Sequence, residues 1–288
     1  MGLRIGFVVL AVAGSVALAQ GCSTRPGNPG EVFETRNRAE TRLDLAGRSM
    51  DRGDPENALS LLEEVSRLAA LADDSGLIVR AAVSRGNALS MLGRTEEAAA
   101  EFAAAEDEAR LSGRRNLLAL AAIHRARRNL GSGEDSARAA IGDVSREMAF
   151  LPDPLQVAFA WTVIGLAQDA LGRRDLAEAA VLRSLAVHEK GNRLELAAFD
   201  WFMIASFRSR SGDFGGARLA LENSIALDRR AENSWGLASG WRALGDVETR
   251  AGNPEAARAA YLRAAGIFRA MGNVPAAEDA LSRAENGN

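Results

Sequence analysis

Three tryptophans, Trp161, Trp201 and Trp241, stand 40 residues apart. No other feature limits so strongly what this chain can fold into. Six alanines keep almost the same step: Ala58, Ala98, Ala137, Ala177, Ala217 and Ala257 follow one another at intervals of 40, 39, 40, 40 and 40 residues. A glycine lies five residues before five of them, at Gly53, Gly93, Gly172, Gly212 and Gly252. Residues 32–271 therefore read as six copies of one unit. Apolar residues recur at helical spacing on both sides of each glycine, which predicts helix, short turn, helix. Asp54-Pro55, Asp153-Pro154 and Asn253-Pro254 mark helix starts, since the first residue can accept a backbone N–H and proline suits the first helical position. One such pair cannot cover its own apolar face. Each must bury it against the next, so the chain extends as a stack rather than closing round a single core.

Trp241-x-x-Leu244-Gly245 followed by Ala257-x-x-x-Tyr261 resembles the tetratricopeptide repeat. The resemblance implies an all-α fold: an α-solenoid of six helix pairs of about 40 residues, with each helix most of a turn longer than in the usual 34-residue unit. In such units alanine lets two helices approach closely and tryptophan fills the volume near the neighbouring pair. We therefore assign Trp161, Trp201 and Trp241 to packing rather than to a cofactor site. The tail supplies Ala277, Ala280, Leu281 and Ala284 on one helical face, as a terminal capping helix requires. The third unit departs from the pattern. Gly131-Ser132-Gly133 replaces the single turn glycine, the alanine step shortens to 39, and Phe150 to Pro154 interrupts the chain. It reads as a loosened joint between two regular halves.

The family binds peptides or partner helices in a concave groove lined by the first helix of each unit. Carried over by register, the groove of units four to six contains Phe159, Phe199, Phe202, Arg242 and Asp246, with Arg210 nearby. In unit two it contains Arg80, Val83, Asn87 and Ser90. The competing assignment for Phe159 and Phe199 is the core, against the second helix of the preceding unit. The paired lysines and asparagines of carboxylate-clamp members are missing, so the resemblance does not imply capture of a chaperone-type C-terminal carboxylate.

The N-terminus is an address. Arg4 precedes an apolar run from Ile5 to Ala19, short for a membrane span but right for a signal-peptide core. Leu18-Ala19-Gln20-Gly21-Cys22-Ser23 resembles a bacterial lipobox, in which the cysteine thiol is alkylated by diacylglycerol and becomes the mature N-terminus. Ala19 and Gln20 depart from that pattern, and Ala17-x-Ala19 offers the alternative of an ordinary cleavage site that releases a soluble protein. Cys22 is the sole cysteine, so neither an intrachain disulfide nor a cysteine-based zinc site can form. Residues 1–21 thus read as a lipoprotein signal peptide, 22–31 as a proline- and glycine-rich tether and 32–285 as the repeat domain. The expected location is the bacterial envelope, lipid-anchored, with the outer membrane facing the periplasm favoured by Ser23 after the cysteine.

Net charge is −3, without the basic stripe of a nucleic-acid binder. The two histidines, His124 and His188, fall in different units without metal spacing, and the single lysine, Lys190, has no phosphate loop. Gly212 to Gly216 sits where other units carry their turn. No cofactor, metal ligand set or catalytic constellation is expected. The expected function is a membrane-tethered periplasmic adaptor that binds a protein segment and supports an envelope complex. The alternatives are a small-molecule-binding accessory of a transport system and, least favoured, an envelope enzyme. Cys22→Ser should release the protein from the membrane fraction and abolish labelling by a fatty-acid probe. Wild-type protein beginning at Gln20 without an acyl chain would contradict the lipoprotein reading.

Overall fold

A computed structural model describes residues 30–286; Cys22, the signal peptide and most of the tether lie outside the described residues. Thirteen α-helices follow in antiparallel succession, with no strand among the described residues. Unit one is α1 (Glu31–Asp51) and α2 (Pro55–Leu71), unit two α3 (Ser75–Met91) and α4 (Thr95–Ser112), and unit three α5 (Arg115–Arg128) and α6 (Glu134–Glu147). Unit four is α7 (Pro154–Ala170) and α8 (Arg174–Lys190), unit five α9 (Leu194–Ser211) and α10 (Phe214–Arg230), and unit six α11 (Ser234–Arg250) and α12 (Pro254–Ala270). The cap is α13 (Val274–Asn286). The fold is an all-α tetratricopeptide-like solenoid. Its period has a simple origin: in unit four, two 17-residue helices and two three-residue turns make 40.

Backbone chemistry fixes where each helix stops. Gly172 adopts φ +72°, and the Arg173 N–H donates back to the Gln168 carbonyl at 2.9 Å, closing the helix end with a left-handed residue. Three of the turns between units use the same geometry with less permissive residues, Asp73, Asn192 and Glu232, all at positive φ, whereas Gly113 serves after α4. Asp54 and Asp153 each accept a backbone N–H at the start of the next helix, followed by proline. Asp213 does the same for Gly216, so the glycine-rich stretch is a turn and a helix start. In unit three α5 ends three residues early, by comparison with α7, in a 3-10 turn over Asn129–Ser132, and a second follows α6 over Met148–Phe150.

All six ladder alanines are buried, at most 2% exposed, where the two helices of a unit lean together. Opposite them the partner helix also thins: a Cβ at Gly245 would lie 2.5 Å from the Tyr261 ring. The tryptophans are packing residues but only half-buried. Each lies at the margin of an apolar cluster. Arg183 covers the Trp161 ring at 4.3 Å and Arg263 covers Trp241 at 4.6 Å, trading part of the expected burial for cation–π contact. At the C-terminal end, Ala277, Ala280 and Ala284 are buried and Leu281 is half-buried.

The stack is coiled enough to meet itself. Antiparallel succession places the C-terminal ends of α1, α3 and α5 on one edge of the ribbon and the N-terminal ends of α9 and α11 on the opposite edge. A Cβ at Gly53, in the turn after α1, would lie 2.6 Å from Cδ2 of Trp235 in α11. Gly93, Gly172, Gly212 and Gly252 have nothing within 4 Å of that position. Opposite edges touch only if the ribbon rises as it turns, so unit one sits against the junction of units five and six. Trp235 is steadied from behind by an edge-on Phe268, 5.6 Å between ring centres.

The same seam gathers carboxylates. The enclosing protein, and then the Glu195 charge, raise Asp51 to about 6. Burial raises Asp228 to about 6; a hydrogen bond from Asn233 (2.8 Å) opposes the rise and Glu195 adds to it. An acid with a higher pKa folded than unfolded holds its proton more tightly in the fold. Its stabilising share is complete below the ordinary value of 3.8 and is lost as pH rises through about 6. Asp228→Asn keeps an acceptor for Asn233 and cannot ionise. Thermal melts should show it more stable than wild type at neutral pH by about 1–3 kcal/mol, with the gap closing at acid pH. A gap that ignores pH would refute the assignment.

Candidate functional site

The odd-numbered helices touch one another along the stack, α1 with α3, α3 with α5, α5 with α7 and α9 with α11, as well as their sequence neighbours. They form the inner wall, and their exposed residues face the concavity. The wall divides into two parts of different character.

The first part is a cleft of ≈ 520 Å³ at the irregular third unit, with Asn87 and Ser90 on one flank and Leu166 on the other. Its deep side is aromatic: the His124 ring stacks on Phe159 at 4.5 Å and faces Phe102 at 6.4 Å. Burial, reinforced by Arg127, lowers the His124 pKa to about 3. His124 Nδ1 is shielded from solvent and has no hydrogen-bond partner. At the mouth stand Arg127 and Arg128, in the last turn of α5. The Arg127 side chain opens onto the groove, yet enough protein surrounds it to lower its pKa. Shortening α5 brings these arginines and the Leu130 turn together. A full-length helix would carry the chain onward past the cleft.

The second part is the wall of units five and six, where most of the sequence-derived site residues fall. Phe199 is 51% exposed on α9, whereas Phe202 is half-buried against the apolar cluster of units four to six. Phe159 does not join them: its ring is committed to His124 in the first cleft. The charges around Phe199 and Phe202 are already paired. Arg210 meets Asp169 at 2.7 Å, Arg242 approaches Asp279 at 3.8 Å, and Asp246 accepts from Arg283 (3.0 Å) and from the Tyr261 hydroxyl (2.8 Å). The structure thus separates one aromatic from the other two and ties the three charged residues into the scaffold. Arg127, Arg128, His124 and Phe102 were outside the site read from sequence. The available signal was the run His124-Arg-Ala-Arg-Arg128 just before the broken turn.

A third polar group lies inside the wall. Thr162, Ser184, His188 and Asp200 join α7, α8 and α9: Nδ1 of His188 meets Oδ2 of Asp200 at 2.7 Å, and the Ser184 hydroxyl donates to Oδ1 of Asp200 at 3.2 Å. A nucleophilic triad needs serine and aspartate on different imidazole nitrogens. Here both approach Nδ1, with Ser184 and Asp200 at most 1% exposed. This is a buried cross-tie between units four and five. Burial, against hydrogen bonds from His188 and Ser184, raises the Asp200 pKa. Among the described residues no cluster of three His, Cys, Asp or Glu side chains could hold a metal ion, and no helix is long and apolar enough to cross a membrane.

Neither a protein-family model nor a curated protein sequence matches the chain. Solved structures do. A Rap protein complexed with Competence and Sporulation Factor is similar over 90% of this chain and 76% of its own length, at 12% identity and a TM-score of 0.59. A signal-transduction ATPase with a tetratricopeptide repeat sensor, from Pyrococcus horikoshii, is similar over 88% of this chain at 13% identity and a TM-score of 0.50. The similarity spans only 42% of that ATPase. At these identities the likeness establishes the fold.

With a pKa near 3, His124 is neutral throughout the physiological range. Its imidazole C–H resonances should therefore stay flat between weakly acid and neutral pH. His124→Phe should stabilise the protein by about 1 kcal/mol, because it removes a buried polar atom without a partner and keeps the aromatic stack. A histidine titrating near pH 6.5, or a destabilised phenylalanine variant, would contradict this geometry.

Proposed function

We propose that the protein is an adaptor of the bacterial envelope, tethered through a lipid on Cys22, that binds a segment of another polypeptide along its concave wall. The observation that carries the binding half of this reading is Phe199, a large aromatic 51% exposed on the inner wall of a rigid scaffold. Exposed aromatic surface in a concavity gains most from leaving water, and surrounding charge sets orientation. The Rap protein of the same fold was solved with Competence and Sporulation Factor bound, which shows the architecture accommodating a ligand. The tethering half is supported by the apolar run ending at the single cysteine, followed by the proline- and glycine-rich Ser23 to Gly30. The envelope complex served is a protein assembly that the tethered groove can reach.

A photo-crosslinking residue at position 199 should trap a protein partner in intact cells, and the same residue at Arg258, exposed on the outer helix α12, should not. Phe199→Asp should weaken capture of that partner at least tenfold, about 1.4 kcal/mol or more, while leaving helicity and melting unchanged. Equal crosslinking from both positions, or unchanged capture by Phe199→Asp, would overturn the groove reading.

A further inference from the structure

Two guanidiniums in the first cleft lack the partner that their neighbours have. Three of the last four residues of α5 are arginines. Arg125 pairs with Glu106 at 3.1 Å. Arg127 reaches only the Asn87 amide oxygen, at 3.5 Å, and Arg128 only the Asn129 oxygen, at 3.3 Å. Neither forms an ion pair among the described residues. Along the rest of the inner wall, Arg210, Arg242 and Arg283 all face carboxylates. No acidic side chain lines the cleft, although the chain carries 38 acidic residues against 35 basic ones. Attraction to the C-terminal end of the α5 dipole accounts for basic residues in a last turn. It does not account for the lack of any carboxylate across from them in an acidic protein, nor for the aromatic floor beneath.

That floor is the second half of the argument. The Arg127 guanidinium lies 5.9 Å from the Phe159 ring centre and that of Arg128 5.8 Å from Phe102, so both heads are held over the stack. Arginine presents its donors in a planar fork that matches a carboxylate in two parallel hydrogen bonds. A space of ≈ 520 Å³ falls in the range that takes a small ligand or a few side chains, about 300–1,000 Å³. Its flanks belong to α3 and α7, the inner-wall neighbours of α5 on either side, so a segment lying along the wall would cross it.

Resting on the groove reading above, we propose that this cleft anchors a side-chain carboxylate of the bound polypeptide: an Asp or Glu pairs with Arg127 and Arg128, and an apolar residue beside it lies against the Phe102 and His124 rings that line the cleft. The partner is then an acidic segment with an embedded hydrophobe. The third unit is irregular because the early end of α5 makes room for it.

Selection of random peptides on the purified full-length chain tests this. The recovered sequences should be enriched in Asp or Glu next to an aromatic or aliphatic residue. The best of them, resynthesised with acetylated and amidated ends, should bind at least tenfold more tightly than its Glu→Gln (or Asp→Asn) twin. Arg127→Gln with Arg128→Gln should erase that difference while leaving the circular dichroism spectrum intact, and the double lysine variant should restore part of it. Binders without acidic preference, or binders indifferent to the arginine pair, overturn the carboxylate anchor and leave the groove reading standing. No binders at all would overturn both. Displacement of the peptide by an equal concentration of free glutarate would show a small-molecule anion site and overturn the polypeptide assignment.

Discussion

The close approach of two helices at a residue with almost no side chain is the contact on which this architecture depends. At Ala177 and its five counterparts the backbones of a pair come together without a side chain between them, and the larger residues interlock to either side. Alanine there costs little side-chain entropy and favours helix. Because the same residue recurs with the same helix lengths, each pair repeats the rotation of the last. A small angle, repeated, becomes a superhelix. The inner wall, its curvature and the spacing of the residues on it all follow from that one contact.

Internal charge pairing stops where the repetition fails. Units four to six are so regular that their inner-wall charges find partners in adjacent units: Arg210 reaches back to Asp169, and Arg283 in the cap reaches Asp246. Regularity satisfies polar groups internally and leaves the surface electrostatically quiet. Unit three, with two shorter helices and a 3-10 turn, breaks this exchange. Arginines end up opposite an amide and a ring rather than a carboxylate. A packing irregularity of a few residues is enough to leave two guanidiniums without a carboxylate.

The fold was legible because its cause is periodic. A fixed step of alanine, glycine and tryptophan states the helix lengths and turn positions before any coordinate is known, and the helix-cap residues Asp54 and Asp153 are readable one by one, although Asn253 starts its helix without the side-chain cap expected of it. The site was legible only in part. Phe199 is exposed on α9, but register alone could not say that Phe159 would turn to His124, nor that Arg210, Arg242 and Asp246 would each find a partner on another helix. Those outcomes depend on how far one helix sits from the next, which sequence spacing does not encode. Arg127 and Arg128 escaped notice for the opposite reason: a basic last turn is ordinary in any helix. The left-handed Asp73, Asn192 and Glu232 escaped too, because the turn's geometry overrides a preference for glycine.

The contact between Gly53 and Trp235 gives the array a measured length. An open solenoid is indifferent to the number of its units, and its evolution by duplication or loss of a unit changes reach without disturbing what remains. Here one unit more or fewer between those two residues would carry the indole past the turn that receives it. The seam therefore acts as a gauge: it checks the copy number of the segment it encloses and fixes the bore of the superhelix.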